Sequence, residues 1–91
     1  MNVIVSAGEK VFFGSLASQS MQHAVANGCM LLNARELFLP DYVSPVDVSA
    51  GAWESGAGIR VEYSKPSRGS TLIANVDVIC EYTCDDAPWD K

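Results

Sequence analysis

The sequence predicts a single small α+β domain, a mostly antiparallel sheet of about four strands packed against one main helix. Three observations carry this prediction. The chain has 91 residues, the size of one domain. The stretch 70–82 alternates side chains as a β-strand does, and the stretch 16–27 spaces its apolar residues as a helix does. We therefore treat 1–91 as one compact domain.

The stretch 70–82, STLIANVDVICEY, predicts one long β-strand with two different faces. The first face is a core face, made of Leu72, Ala74, Val76, Val78, Cys80 and Tyr82. The second face mixes isoleucines with polar groups, as in Ile73, Asn75, Asp77 and Ile79. Such a mixture is typical of a strand face that is partly covered or that meets a partner.

Residues 59–64 alternate in the same way, and 65–69 (KPSRG) supply turn residues. Together with 70–82 they predict a C-terminal β-hairpin spanning 59–82. Residues 2–5 and 11–13 predict two short strands joined as a hairpin, or one strand broken by a bulge at Gly14.

Ser15 or Ser18 is expected to cap the main helix at about 16–27, because a serine oxygen accepts a bond from a free N–H of the first turn. Asn27 and Gly28 tolerate the left-handed conformation and are expected to end it. The helix would lie against the sheet through Ala17, Met21, Ala24 and Val25.

Residues 29–32 are predicted as a strand, whereas 34–39 fit either a short helix or a strand. Residues 40–58 predict a long ordered loop in which Trp53 either covers the core or contacts a partner. Residues 83–91 predict an acidic surface tail that carries Trp89.

With 6 basic and 11 acidic residues the net charge is −5, which argues against nonspecific nucleic-acid binding. An acidic surface suits a partner with a basic patch, or serves solubility. The first five residues lack the charged region of a signal peptide, and no apolar run approaches the length of a membrane helix. We therefore expect a cytoplasmic protein with reduced thiols.

The sequence offers few residues for chemistry. Cys80 and Cys84 lie four positions apart, more widely than the cysteines of zinc knuckles and redox sites, which have a two-residue spacer. A metal set would need every candidate ligand: His23, Cys29, Cys80 and Cys84. A cysteine nucleophile would depend on His23, the one histidine, and no third group is evident. We expect no metal, no cofactor and no catalytic residue.

The function predicted is therefore protein–protein binding by a non-enzymatic protein, with an inhibitor that covers a basic, nucleic-acid-binding surface of a host protein as one form of it. Small proteins without a motif are often of this kind in phages or mobile elements, and the compartment would then be the host cytoplasm. The residues predicted to bind the partner are Trp53, Glu54, Ile73, Asp77, Ile79, Asp85, Asp86 and Trp89. The alternatives are a homodimer or structural assembly component, and a small-ligand site or enzyme that uses His23 or Cys29.

Overall fold

The computed structural model describes residues 1–17, 20–50, 61–83 and 89. In this part of the chain it shows six strands and two short helices, an α+β fold with an antiparallel sheet. The elements are β1 (Asn2–Ala7), β2 (Lys10–Leu16), α1 (Met21–Asn27), β3 (Cys29–Phe38), α2 (Pro45–Ser49), β4 (Glu62–Tyr63), β5 (Ser70–Ile73) and β6 (Val78–Glu81). The α+β prediction is confirmed; the strand count of about four is too low.

The sheet is built around β3, β2 and β1, which are adjacent in that order and antiparallel. β1 and β2 form the predicted hairpin, closed by a two-residue turn in which Gly8 has a φ of 64°. Left-handed backbone at a two-residue turn matches the twist of the flanking strands, and glycine adopts it without a steric cost. β6 pairs with the free side of β1, and β4 and β5 pair with the free side of β3.

The sheet must be strongly coiled, because its two edge strands β5 and β6 are joined by residues 74–77 alone. Ile73 pairs with Cys29, at the beginning of β3. Val78 pairs with Ser6 of β1, and the pairing continues across the sheet through β2 to Leu37, near the end of β3. In a flat sheet these two positions would be more than about 30 Å apart. Five Cα steps span at most about 18 Å, so the edges have to curl toward each other.

Residues 70–82 do not form one strand, which corrects the prediction. The chain leaves β5 after Ile73 and enters β6 at Val78, with Asn75 between them at a φ of 55°. A left-handed residue interrupts the alternation of a strand, so the period of two does not continue through it. The choice of buried face is also wrong in β5: Leu72, assigned to the core face, is 61% exposed, and Ile73, assigned to the mixed face, is 6% exposed.

The predicted hairpin 59–82 is also wrong, because β4 and β5 do not pair with each other. Both run along the same side of β3, β4 near its end and β5 near its beginning. Tyr63 pairs with Leu37 and Ser70 pairs with Leu32. The edge segment thus uses seven residue steps where β3 uses five. The residues that look like a hairpin turn, 65–69, therefore form a bulge of two extra residues in an edge strand, where proline is tolerated.

The prediction of one main helix at about 16–27 is wrong, because the described residues form two short helices and α1 covers only Met21–Asn27. β2 continues to Leu16, and α1 begins after the N-cap Ser20, whose hydroxyl accepts a bond from the backbone N–H of His23 at 3.1 Å. The stop at Asn27–Gly28 is confirmed, with Gly28 at a φ of 98°. In the predicted stripe Ala24 is fully buried, but Val25 is 47% exposed.

Both faces of the sheet are packed, and we name each after the helix that covers it. On the α1 face the buried residues are Val3, Val5, Leu16, Ala24, Cys29, Leu31, Ala34 and Ile73. On the α2 face they are Ile4, Val11, Phe13, Leu37, Val43, Val48, Val61, Tyr82 and Trp89. Because β1 lies between the two clusters, three consecutive residues, Val3 to Val5, have no exposed surface.

The structure decides the stretch 34–39, which the sequence left open, and shows a helix inside 40–58, which was predicted as a loop. Residues 34–38 are strand, part of the ten-residue β3. Within the predicted loop 40–58, residues 45–49 form α2, whose Ser44 and Asp47 make a complete capping box. Trp53 and Glu54 lie outside the described residues, as do 84–88 of the predicted tail.

Candidate binding site on the sheet

β3 carries a bulge at Asn33, and this bulge shapes the candidate site. Phe13 pairs with Arg35 and Ser15 with Leu32, so β3 has one residue more than β2 across this step. Asn33 has a φ of 53°, a conformation that asparagine tolerates better than most residues. Bulges redirect side chains and are common beside functional sites.

Gly14 lies opposite this bulge, where β2 and β3 approach closely. A Cβ at this position would lie 3.1 Å from the Cβ of Leu31 and 3.1 Å from the carbonyl oxygen of Leu32. A Cβ here would be in tight contact with its neighbours, so close packing, and not backbone conformation, favours glycine at this position.

The two bulges are neighbours, and a cleft of about 480 Å³ opens between them on the α2 face. We call it the bulge cleft. Its described lining residues are Asn2, Phe13, Gly14, Ser15, Leu32, Asn33, Arg35, Pro66, Ser67, Arg68 and Trp89. Its size is in the range of small-ligand and side-chain pockets.

Arg35 is held in place by the edge segment. Its Nη1 donates to the carbonyl oxygen of Ser64 at 2.9 Å, and its guanidinium lies over the ring of Tyr63, 5.3 Å from the centroid. Ser64 is itself fixed, because its hydroxyl accepts from the backbone N–H of Glu36 at 2.9 Å and its own N–H donates to the Glu36 carbonyl. The position of the guanidinium is thus set before any ligand arrives.

The described lining of the bulge cleft includes two arginine side chains. Arg35 and Arg68 are two of the 6 basic residues in a chain with 11 acidic ones. Among the described lining residues none is Asp or Glu. Arg68 is exposed on the two-residue bulge, and Phe13 and Trp89 supply apolar walls.

An exposed apolar patch adjoins the cleft. Leu72 pairs directly with Met30, and Leu32 lies two residues further along β3, so the three side chains are on one face of the sheet. Leu72 is 61% exposed, Leu32 is 40% exposed, and Met30 is half-buried. We call these three residues the apolar patch; Leu32 belongs to both the patch and the cleft.

The structure separates the residues that the sequence predicted to bind a partner. Ile73 is buried on the α1 face, and Ile79 is half-buried against the same cluster. Asp77 is exposed, but its carboxylate accepts from the backbone N–H of Gly8 at 2.8 Å and so holds the β1–β2 turn. Trp89 is 1% exposed, packed against Phe13 and Tyr82. Trp53, Glu54, Asp85 and Asp86 lie outside the described residues.

Trp89, whose burial the sequence left open, is a core residue. Ile73 is buried, and Trp89 is buried except where it lines the bulge cleft, so most of a binding surface has to be built from other residues.

Of the thiol and imidazole groups considered from the sequence, the structure describes those of Cys29, Cys80 and His23. Cys29 is fully buried, and burial raises the pKa of its thiol above the ordinary 9.0, which keeps it protonated. His23 is exposed on α1, 3.5 Å from the amide nitrogen of Asn27. Within the described residues no three His, Cys, Asp or Glu side chains are grouped as metal ligands; Cys84 lies outside them.

Among the helices in the described ranges, none is long and apolar enough to cross a membrane. No family profile matches the chain, and neither the curated proteins nor the solved structures include one with significant similarity to it. The site therefore has to be interpreted from its own geometry.

The sequence did not indicate Arg35, Arg68, Leu32 or Leu72 as site residues. The glycine, proline and arginine of 65–69 indicated an irregularity, but a hairpin turn accounts for them equally well. Only the pairing of both flanking segments with β3 identifies the bulge.

Proposed function

We propose that this protein acts by binding another protein through the apolar patch and the bulge cleft. The observation that carries the proposal is the exposure of Leu72 and Leu32 side by side on a sheet face. Apolar side chains grouped at the surface beside arginine are typical of protein interfaces, because their burial on association removes apolar area from water.

The packing of the same face supports this choice. On the α2 face, Val48, Val61 and Trp89 pack in one cluster with four buried strand residues. These are Ile4, Val11, Phe13 and Leu37. The patch lies at the other end of the face, beyond Ser15. The sheet thus presents one covered half and one open half with a cleft between them.

The finer expectation, an inhibitor that covers a basic surface of a host protein, rests on the net charge of −5. Electrostatic attraction of that kind speeds and orients association over long distances. It fits a contact centred on the apolar patch if the basic groups of the partner lie over acidic surface outside the bulge cleft, because Arg35 and Arg68 would repel them.

The test is affinity capture with the tagged protein from a lysate of the cells that make it, using wild type and Leu72→Asp. Leu72 is 61% exposed, so the substitution is expected to leave the fold intact. A carboxylate in the centre of an apolar contact is expected to weaken binding by about tenfold or more. Tyr42→Asp is the matched control, because Tyr42 is 75% exposed and lies outside the patch.

The proposal predicts a stoichiometric partner that wild type and Tyr42→Asp retain and Leu72→Asp loses. Equal capture by all three proteins, or no stoichiometric partner for any of them, would contradict it. Light scattering on the same variants covers the homodimer alternative: a wild-type dimer that becomes monomeric only with Leu72→Asp would make a second copy the partner.

A further inference from the structure

Building on the proposed function, we infer that the partner adds an extended segment to the sheet as a further antiparallel strand, along the side of β5 that faces away from β3. The occupant is thus a stretch of another protein in β-conformation, with apolar side chains at every second position. Three features of β5 argue for it: the direction of its backbone groups, its uncharged composition and the exposure of Leu72.

The backbone groups of β5 alternate between β3 and the outer side. The N–H of Asn33 donates to the carbonyl oxygen of Gly69 at 3.2 Å, and in an antiparallel pair every second residue continues this pattern. Thr71 therefore bonds to β3, whereas the N–H and C=O groups of Ser70 and Leu72 point away from it. Within the described residues, no strand pairs with this outer side.

The opposite side of β3 agrees with this assignment. The N–H of Ala17 donates to the carbonyl oxygen of Met30 at 3.0 Å, so Met30 directs its backbone groups toward the β2 side. Leu31, the next residue, is directed toward β5, where it pairs with Thr71. The residues on either side of Thr71 thus present their donors and acceptors outward, as a template on which another strand can pair.

Among the edge strands of the described sheet, β5 is the one without a charged side chain. Proteins commonly protect sheet edges with charges, proline and bulges. The edge segment before β5 has all three, with Glu62, Lys65, Pro66, Arg68 and the two-residue bulge. On the opposite edge, β6 ends in Glu81. β5, with the sequence STLI, therefore accepts an added strand more readily than its neighbours.

The exposure of β5 leaves room for this strand. Ser70 is exposed, Leu72 is 61% exposed, and among the described elements β5 packs mainly against β3. Ile73, buried on the α1 face, holds β5 on the sheet. An added strand would cover Leu72 and pair the outward backbone groups in the same step, so both contributions to binding arise at one place.

The register determines the side chains of the added segment. All pairs in the described sheet are antiparallel, and such pairs are slightly more stable than parallel ones. The partner residue that bonds to Leu72 then lies opposite it with its side chain on the same face, where it extends the apolar patch. The next residue lies opposite Thr71, which is half-buried, so an uncharged β-branched side chain fits there. Basic residues flanking the segment suit the net charge of −5.

The experiment is an NMR titration of the ¹⁵N-labelled protein with the capped heptapeptide acetyl-Lys-Val-Thr-Val-Thr-Val-Lys-amide. Two isomers carry one N-methyl group each, on the central valine or on the threonine after it, and so differ only in which edge of the peptide is blocked. The parent peptide and the N-methylthreonine isomer are expected to shift the amide signals of Ser70 and Leu72. The N-methylvaline isomer should bind about tenfold more weakly, because its valine edge can no longer pair with β5.

Ser70→Pro and Ser70→Ala form a matched pair of variants. The proline removes one outward N–H at an exposed edge position, where proline is tolerated, and the alanine keeps it. Affinity for the parent peptide should fall about tenfold with proline and less than about twofold with alanine. Slow amide exchange at Thr71 and Ile73 shows that β5 still pairs with β3. If the proline disrupts this pairing, the two N-methyl isomers decide the question with the unaltered protein.

Equal binding of the two N-methyl isomers, or no binding of the parent peptide up to about 5 mM, would overturn the inference. So would shifts of Ser70 and Leu72 that depend on protein concentration without peptide, since a second copy would then occupy the edge. The proposed function fails separately, when Leu72→Asp captures the same partner as wild type. A partner lost with Leu72→Asp but retained equally by Ser70→Pro and Ser70→Ala would sustain the proposed function and remove the added strand.

Discussion

Burial determines the chemistry of Cys29. It is the first residue of β3, pairs with Ile73 and has no exposed surface. A thiolate there would lose its hydration without a compensating charge, which is why the pKa of the thiol is raised. Cys29, which the sequence analysis considered as a nucleophile or metal ligand, is thus a small core side chain in this structure.

Cys29 is therefore expected to resist alkylation in the folded protein. In a variant with Cys80→Ser and Cys84→Ser, iodoacetamide at pH 8 should react on the order of a hundredfold more slowly without urea than in urea, because reaction requires local opening. Mass spectrometry of quenched samples measures the rate. Retaining only Cys80, which is half-buried, provides the comparison and should show less protection.

The same shift has a definite sign in the pH dependence of stability. Above the ordinary pKa of 9.0 the thiol of the unfolded chain ionises before that of the folded chain. The unfolded state then binds fewer protons, so the free energy of unfolding falls as pH rises from 9.0 toward the folded pKa. Urea unfolding at pH 8 and pH 10 should show a smaller decrease for Cys29→Ala; an equal decrease would assign it to other groups.

The two strands on either side of Asn75 explain most of what the sequence predicted wrongly. Alternation predicted that Ile73 and Ile79 belong to an outer face, yet both pack toward the α1 face. The reason is that a coiled sheet packed on both sides has no purely outer face, so alternation cannot tell which side is open. One left-handed residue then allows β5 and β6 to pair with opposite edges.

Asn75→Val is expected to destabilise the fold by about 1–2 kcal/mol, because a β-branched residue is strained at a φ of 55°. Asn75→Gly accepts this backbone and should cost less, with only its greater freedom in the unfolded chain to oppose it. Urea unfolding followed by circular dichroism measures both. Asn75 is exposed, so lost packing does not enter the comparison; equal stabilities for the two variants would contradict strain at the break.

The edge segment 62–73 shows where element prediction stops. The sequence indicated its two strands and the irregular residues between them, but it did not indicate that both strands pair with β3. Two neighbouring strands separated by turn residues pair with each other in a hairpin, and this is the shorter loop closure. Here the ten-residue β3 is long enough for both strands to pair along it, which leaves the extra residues to form one side of the cleft.

At the level of the whole molecule, Trp89 completes the core of the α2 face. Its ring lies 6.3 Å from that of Phe13 and 6.1 Å from that of Tyr82, centroid to centroid, in edge-on geometry. Phe13 and Tyr82 are themselves 5.2 Å apart. The three rings join β2, the residue after β6, and a residue near the end of the sequence into one cluster.

Trp89→Ala is expected to cost about 3–5 kcal/mol of stability, a large part of what a domain of this size has. Thermal and urea unfolding monitored by far-ultraviolet circular dichroism give the value. Tyr42→Ala, at a residue 75% exposed, is the control and should fall within about 0.5 kcal/mol of wild type. A cost below 1 kcal/mol for Trp89→Ala would return Trp89 to the surface tail of the sequence-based prediction.

Local patterns in the sequence were sufficient for the fold class, the β1–β2 hairpin, the stop of α1 at Gly28 and the strand at 29–32. Each of these depends on residues close together in the chain, such as a glycine that accepts left-handed backbone or a short β-branched run. Such preferences act before any distant contact forms.

The candidate site depends on contacts between distant segments. The cleft exists because a bulge at Asn33 and a bulge at 65–69 lie side by side, and the patch is open because Leu72 and Leu32 share the half of the α2 face that α2, Val61 and Trp89 leave uncovered. Neither fact follows from alternation, since a period of two defines two faces but not which of them is buried. Which face is buried is decided by the pairing of distant strands in the coiled sheet.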